Sequence, residues 1–246
     1  MSNTFLSIVI PAFNEENRIG QTLRGIFGFI ETTGYSVEII VVDDGSTDRT
    51  AELVEAQRRK PEYKEILRLI RNPKNLGKGY SVRTGMLHAK GGIVLFTDAD
   101  LSAPIAEVTK LMTPILSGQC EISIGSRALE GSEIGIHQAK AREVAGRLFN
   151  YFVRKLTGLG FRDTQCGFKA FHQSVIKEVF GRQKFLDFSF DVEVLYIAKK
   201  LGYRILEIPV KWNHAEGTKV NMFRDPVKMF TSLFLIRLDD LRGRYD

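Results

Sequence analysis

A chain of 246 residues with 43% apolar and 26% charged side chains has the make-up of a globular protein, which excludes a disordered or fibrous chain. Its net charge of +6 and pI near 9.3 suit anionic partners such as phosphorylated substrates, acidic lipids or nucleic acid, without choosing among them. The two cysteines, Cys120 and Cys166, have neither zinc-site nor disulfide-framework spacing and point to a reducing compartment.

No Pro/Gly/Ser-rich linker or charge block divides residues 1–246, so they read as one domain. Met1-Ser2-Asn3-Thr4 lead straight into a strand, without the basic segment, apolar stretch and small-residue cleavage site of a secretory signal. The expectation is a cytoplasmic protein. No run approaches the about 18 consecutive apolar residues of a spanning helix, which leaves a soluble or surface-bound chain.

Residues 6–10 and 38–42 are short, β-branched and apolar on both parities, the pattern of strands covered on both faces. Between them Ile19, Leu23, Ile26, Phe27 and Ile30 recur at one-face helical spacing, with a stop at Gly34. The alternation continues with a helix from about Thr47, a strand over 67–70, a helix from about Lys78, and an apolar strand, Ile93-Val94-Leu95-Phe96, that ends at Asp98. Right-handed crossovers build such a series into an α/β structure with a mainly parallel central sheet flanked by helices. Ligands of these sheets bind beyond the carboxyl ends of the strands. The polar clusters fall there: Pro11-Ala12-Phe13-Asn14-Glu15, then Asp43-Asp44-Gly45-Ser46-Thr47-Asp48, then residues 72–79, then Asp98-Ala99-Asp100.

Asp98 and Asp100 offer hard oxygen ligands one residue apart. Mg²⁺ is usually held by one or two carboxylates plus substrate phosphates, so the pair suggests a metal clamped on a diphosphate. By themselves the same acids also fit a turn ahead of a helix, with Ser102 as N-cap and Pro104 just inside it. Asn75-Leu76-Gly77-Lys78-Gly79 lacks P-loop spacing, and no G-x-G-x-x-G opens the first helix. Its glycines still permit close backbone approach to a ligand, and Lys78 could meet a phosphate.

After the apolar run 122–124 come Gly125-Ser126-Arg127 and a helix over 142–156, apolar along Val144, Leu148, Phe149, Phe152, Val153 and Leu156 and basic at Arg142, Arg147, Arg154 and Lys155. Residues 162–169 are too polar for a strand. A helix over 187–201 carries Asp191 and Glu193 in its first turn, and Leu206, Ile208, Val210 and Trp212 alternate as one strand whose Pro209 points to a sheet edge. Phe223, Val227, Phe230, Phe234 and Leu238 stripe a last helix flanked by Lys228, Arg237, Arg242 and Arg244. The two striped helices fit either core packing or a membrane surface. His88, His137, His172 and His214 share no ligand-like spacing. No stretch interleaves aromatic and basic residues as a nucleic-acid binder would.

Ile8-Val9-Ile10-Pro11-Ala12-Phe13-Asn14-Glu15, Val42-Asp43-Asp44-Gly45-Ser46-Thr47-Asp48, Asn75-Leu76-Gly77-Lys78-Gly79 and Asp98-Ala99-Asp100, in that order, resemble glycosyltransferase family 2 with the GT-A fold. Asp163-Thr164-Gln165-Cys166-Gly167-Phe168-Lys169, Phe190-Asp191-Val192-Glu193 and Glu216-Gly217-Thr218-Lys219-Val220 resemble its dolichyl-phosphate glucosyltransferase branch. The resemblance implies a nucleotide-sugar-binding half, 1–126, and an acceptor half, 127–246, with peripheral amphipathic helices. It implies that Pro11, Ala12, Phe13, Glu15, Asp44, Asn75, Gly77, Lys78, Asp98 and Ala99 bind the nucleotide-sugar, Asp44 accepting from a pyrimidine edge, and that Asp98 and Asp100 hold Mg²⁺ or Mn²⁺.

The implied reaction is inverting transfer of glucose from UDP-glucose to dolichyl or polyprenyl phosphate, giving a β-linked product. An anionic acceptor needs cations, for which Arg127, Arg142, Lys169 and Lys219 are the candidates. A hydroxyl acceptor needs a base instead, and Asp191 lies where hydroxyl-using relatives carry one. The catalytic set is therefore Asp98, Asp100, Asp191 and Arg127. A catalytically silent nucleotide-sugar binding protein is the third reading, disfavoured by the intact carboxylates. The N-terminal membrane anchor of eukaryotic members has no counterpart in these residues, a departure that bears on the mode of membrane attachment and not on the chemistry; the expected location is the cytoplasm, peripherally on the cytoplasmic face of a membrane.

Overall fold

The computed structural model describes residues 5–136, 140–213 and 224–246. Strands β1 (Leu6–Ala12) and β2 (Val37–Asp43) pair in parallel, Ile8 opposite Ile39, and are buried along nearly their whole length. Helix α1 (Ile19–Thr33) joins them and ends at Gly34, whose left-handed φ of 66° lets its N–H close on the Ile30 carbonyl. Helix α2 (Thr50–Arg58), strand β3 (Leu67–Arg71), helix α3 (Lys78–His88) and strand β4 (Ile93–Thr97) complete the expected alternation. A single 3-10 turn, Ile105–Glu107, and helix α4 (Val108–Leu116) lead to β5 (Ile122–Ser126).

The remaining elements are β6 (Glu133–Ile136), α5 (Lys140–Thr157), β7 (Phe168–His172), α6 (Gln173–Arg182), α7 (Phe190–Lys200), β8 (Ile205–Pro209), β9 (Lys211–Asn213) and α8 (Arg224–Leu241). The main sheet runs β3-β2-β1-β4-β7-β5-β8. Its ladders are parallel except the two made by β7, which is antiparallel to both β4 and β5. Apolar side chains alternate to the two faces, as the pleat requires. Ile8, Ile39 and Val41 pack with α1 and α4 on one face. Val9, Ile40 and Phe96 pack with α3, α6 and α7 on the other, where Leu233 and Ile236 of α8 join them.

Three sequence expectations change. Residues 162–169 are not wholly loop, because Phe168 and Lys169 open β7, and α6 was not anticipated at all. The expected strand over Leu206 to Trp212 divides at Val210 into β8, an edge strand of the main sheet with Pro209 at its end, and β9, which pairs with β6 in a separate ribbon. Strands from residues 1–126 and from 127–246 are joined in the one main sheet, β7 inserting between β4 and β5. Among the described residues no helix is long and apolar enough to cross a membrane.

Helix α7 is buried from Phe190 to Ala198, and this includes Glu193. Its carboxylate accepts the backbone N–H groups of Lys184 and Phe185, both at 2.8 Å, and the Tyr245 hydroxyl at 2.9 Å. Burial nevertheless pushes this carboxyl from an ordinary 4.5 up to about 7. A raised carboxyl contributes stability that is fully present below its unfolded value and is lost as pH climbs through the folded one. The protein is thus expected to lose up to about 3 kcal/mol of this contribution between about pH 5 and pH 8. Urea unfolding across that range checks it, and Glu193→Gln should flatten the slope.

Candidate active site

The carboxyl ends of the parallel strands meet at one edge, and the loops there are laced together. Asn14, held at φ 54°, donates its backbone N–H to the Ser46 hydroxyl at 2.9 Å and accepts the Thr47 N–H on its side chain at 2.9 Å. The Glu15 N–H reaches the Thr50 hydroxyl at 2.7 Å. Left-handed backbone in a non-glycine residue is costly, and such strain gathers at functional sites. Leu101, just past Asp100, is the other described example, at φ 46°. Pro11, Ala12 and Phe13 lie in this same rim.

Asp44 is the hub of the next loop. One oxygen accepts the Asn72 amide at 2.7 Å and the Leu76 N–H at 2.9 Å; the other accepts the Gly77 N–H at 2.8 Å. Sequence reasoning gave this carboxylate to the pyrimidine edge, but here its oxygens are engaged in shaping the turn that carries Asn75, Gly77 and Lys78. Gly77 takes φ 103°, which favours glycine, and Lys78 then starts α3. Asn72, which braces Asp44, was not singled out as a site residue; its only signal was its place at the start of the polar cluster 72–79.

Lys78 extends to Asp98, Nζ to Oδ1 at 2.6 Å. Burial works to lower the Lys78 pKa, but the charges of Asp98 and Asp191 outweigh it and hold the amine above its usual value. Asp98 follows β4, and its N–H donates to the Gly167 carbonyl at 3.2 Å. A Cβ at Gly167 would lie 2.1 Å from Asp98 Oδ2, so glycine alone leaves room for this carboxylate. Asp100 accepts the Ser102 N–H at 2.9 Å. Asp100 rather than Ser102 therefore caps the turn, and regular helix begins only after Pro104.

Asp98 and Asp100 remain partly exposed. Each keeps one carboxylate oxygen without a hydrogen-bond partner among the described residues, a hard-donor set that fits Mg²⁺ or Mn²⁺. No group of three or more His, Cys, Asp or Glu that could hold a metal occurs among the described residues. Ala99 is buried, with its carbonyl accepting the Thr22 hydroxyl.

Behind Asp98 lies a sealed ion pair. Lys169 is wholly buried, with Nζ 2.5 Å from Asp191 Oδ1, 2.6 Å from the Cys166 carbonyl and 5.1 Å from the Phe96 ring centroid. This corrects the assignment of Lys169 to an acceptor phosphate, because a side chain in the core cannot be presented to one. Burial raises the Asp191 pKa, and Lys169 and Lys78 only partly offset it. The thiol of Cys166 is pushed by burial up to about 12 and is not a nucleophile.

Arg127 faces the site from the end of β5. Its guanidinium forms a two-pronged pair with Asp163, Nε to Oδ2 at 2.6 Å and Nη2 to Oδ1 at 2.8 Å, and lies 5.3 Å from the Trp212 ring centroid. Burial opposes both charges, but the pairing wins, lifting the Arg127 pKa and lowering that of Asp163. The Asp163 N–H is in turn held by Glu207 at 2.7 Å. Asp163 was legible only as part of a polar run, and nothing in the sequence paired it with Arg127. The side chain of Arg142 and the whole of Lys219, His137 and His214 lie outside the described residues. His88 and His172 make local bonds to Thr84 and Ser174.

The family model for "Glycosyl transferase family 2" matches residues 7–180. A dolichyl-phosphate beta-glucosyltransferase of Saccharomyces cerevisiae is 35% identical, covering 98% of this chain and 76% of its own. Those of Dictyostelium discoideum and Homo sapiens are each 33% identical, covering 99% and 98% of this chain and 77% of their own. Among solved structures, glucosyl-3-phosphoglycerate synthase from Mycobacterium tuberculosis, in complex with Mn²⁺, UDP and glucosyl-3-phosphoglycerate, is similar in fold. The TM-score is 0.68 at 20% identity, over 97% of this chain and 80% of that one. The architecture is the GT-A fold.

The Asp44 network yields an expected outcome independent of any ligand. Asp44→Asn replaces two acceptor oxygens by one and turns an amide towards buried donors, at a cost of about 2–4 kcal/mol. Equilibrium unfolding measures that loss, and amide exchange should quicken at Leu76 and Gly77.

Proposed function

The chain belongs to glycosyl transferase family 2, and from that premise we propose that it transfers glucose from UDP-glucose to dolichyl or polyprenyl phosphate with inversion. The similarity to dolichyl-phosphate beta-glucosyltransferases across nearly the whole chain supports the acceptor class. The observation that carries it chemically is the sealed Asp191. A hydroxyl acceptor would need a base with an accessible oxygen, whereas Asp191 is 3% exposed and bonded to Lys169. A phosphate acceptor arrives as an anion and needs no base.

In this reading an acceptor phosphate oxygen bonds to the anomeric carbon as the bond from that carbon to the diphosphate oxygen breaks. UDP leaves with the electron pair, and an α-linked donor gives a β-linked product. Asp98 and Asp100 would hold Mg²⁺ or Mn²⁺, which when bound neutralises charge gathering on the leaving diphosphate. The Asp44 network fixes the turn that aims Lys78 at that same charge. Lys169 and Asp191 form the rigid floor beneath Asp98, and Asp163 holds the Arg127 guanidinium in one orientation for the acceptor phosphate. Arg142 and Lys219 remain acceptor candidates from sequence alone.

We place the enzyme at the cytoplasmic face of a membrane. On α5 and α8, Leu148, Tyr151, Phe234, Leu235 and Leu241 are exposed, bordered by exposed Arg154, Lys155, Lys228, Arg237 and Arg242. The rings of Phe152 and Phe230, 5.1 Å apart, join the two helices. Apolar side chains rimmed by cations form the pattern of a surface-bound helix.

Incubation with radiolabelled UDP-glucose, Mg²⁺ and a short polyprenyl phosphate should move label into the organic phase, and GDP-mannose should not replace the donor. Asp98→Asn or Asp100→Asn is expected to lower that transfer by about 100-fold or more with little change in melting temperature. In single-turnover assays Asp191→Asn, where it keeps the wild-type melting temperature and so the floor it forms with Lys169, should impair chemistry far less than Asp100→Asn; equal collapse in such a folded variant would favour the hydroxyl-acceptor reading. A fully active Asp98→Asn/Asp100→Asn protein would remove the metal assignment.

The membrane reading has its own assay. Each basic residue near an anionic surface contributes roughly 1 kcal/mol, so flotation with phosphatidylserine vesicles is expected and should weaken with salt. Phe234→Glu/Leu235→Glu, if folded, should abolish it. A protein that never floats would refute surface attachment.

A further inference from the structure

Gly77-Lys78-Gly79, where the loop passes into α3, has few side-chain atoms of its own to fix it in place. Two of the three residues are glycines, one at φ 103°, so neighbouring segments pack directly on the backbone. Asp44 grips one side. On the other lies the segment 183–187 that joins α6 to α7. A Cβ at Gly77 would come within 2.3 Å of the Leu186 carbonyl oxygen, and one at Gly79 within 2.8 Å of the Phe185 carbonyl oxygen. The Tyr80 N–H donates to the Leu186 carbonyl at 3.2 Å, and the Gln183 amide donates to the Gly79 carbonyl at 2.9 Å. Lys78 Nζ lies 5.8 Å from the Phe188 ring centroid, just beyond that segment.

The segment 183–187 is fixed in turn from within the core. Glu193 accepts the N–H groups of Lys184 and Phe185, and its Oε1 also takes the Tyr245 hydroxyl. Tyr245 is wholly buried although its neighbours Arg244 and Asp246 are exposed. The stretch after α8 is pinned by Lys200 to Asp246 at 2.5 Å and Arg244 to Asp239 at 2.8 Å. A continuous hydrogen-bonded path therefore runs from Tyr245 through Glu193, the amides at 184 and 185, and Gln183 to the carbonyl of Gly79.

We infer that Glu193 and Tyr245 are positioning residues for the donor site: by fixing segment 183–187 they hold the glycine turn that aims Lys78 at Asp98 and at the donor diphosphate. Neither touches the reacting groups. The inference rests on the proposed nucleotide-diphosphate donor but concerns the ligand-free turn as well. A purely structural role for Tyr245 would lower the melting temperature without singling out the donor.

Tyr245→Phe keeps the buried ring and deletes only the hydroxyl. Its affinity for UDP with Mn²⁺, by calorimetry, is expected to fall by about 3- to 10-fold. The KM for UDP-glucose should rise in step while the KM for polyprenyl phosphate stays put, and exchange of the amides at 77–80 should accelerate without ligand. Gln183→Met, which cuts the path at its last link, should reproduce the pattern; it decides alone if Tyr245→Phe does not fold. Folded variants with wild-type UDP affinity and wild-type exchange at 77–80 would overturn the inference. A wild-type protein that binds no UDP would refute the proposed donor instead, and the ligand-free exchange comparison would then decide the positioning role.

Discussion

The antiparallel entry of β7 between β4 and β5 is the constraint on which the site depends. In a parallel strand only the carboxyl end reaches the edge where β1, β2 and β4 finish. Reversing one strand brings its amino end there, and with it Gly167, Lys169 and the preceding residues Asp163 and Cys166. The Gly167 carbonyl then meets the Asp98 N–H, Lys169 reaches Asp191 beneath it, and Asp163 meets Arg127 from β5. One reversed strand thus supplies the floor under one carboxylate and the partner of one cation.

The charges of this edge are arranged in pairs whose exposure differs: Lys169 with Asp191 is sealed, Arg127 with Asp163 is partly open, and Lys78 with Asp98 is the most open of the three. Buried ion pairs lose in desolvation much of what they gain in attraction, so their contribution is chiefly orientation. An entering diphosphate would bring negative charge to this edge. Lys78, on a side chain 20% exposed and attached to a mobile-jointed stem, can follow that charge; Lys169, with no exposed surface, cannot. The same residue type is therefore open to an incoming anion at one position and sealed as foundation at the other.

The first half of the fold was legible because its strands are apolar on both parities and its helices on one face, a contrast that periodicity detects. The order of polar clusters after each strand likewise brought Pro11 to Glu15, Asp44, the 75–79 turn and Asp98 together at one edge. What escaped is what depends on non-local pairing. Residues 162–169 read as too polar for a strand and Lys169 as a cation open to a ligand, and only its partner Asp191, 22 positions on, makes burial of Lys169 tolerable. For the same reason the bracing role of Asp44 escaped: a sequence displays an acid but not the three protein donors that it holds.

Helix α8 shows why a single apolar stripe could not separate core from surface. Leu233 and Ile236 are sealed against the sheet side, while Phe234 and Leu235, beside them in sequence, are about half exposed. The helix is apolar over too wide an arc for core packing alone, so one face is buried while another stays exposed. Contiguous apolar surface of this kind on a soluble face marks a contact site, and here it belongs to the element whose continuation buries Tyr245 against Glu193. Leu235, on the surface proposed to meet lipid, and Tyr245, proposed to steady the donor turn, are thus ten residues apart, the first on α8 and the second just past its end.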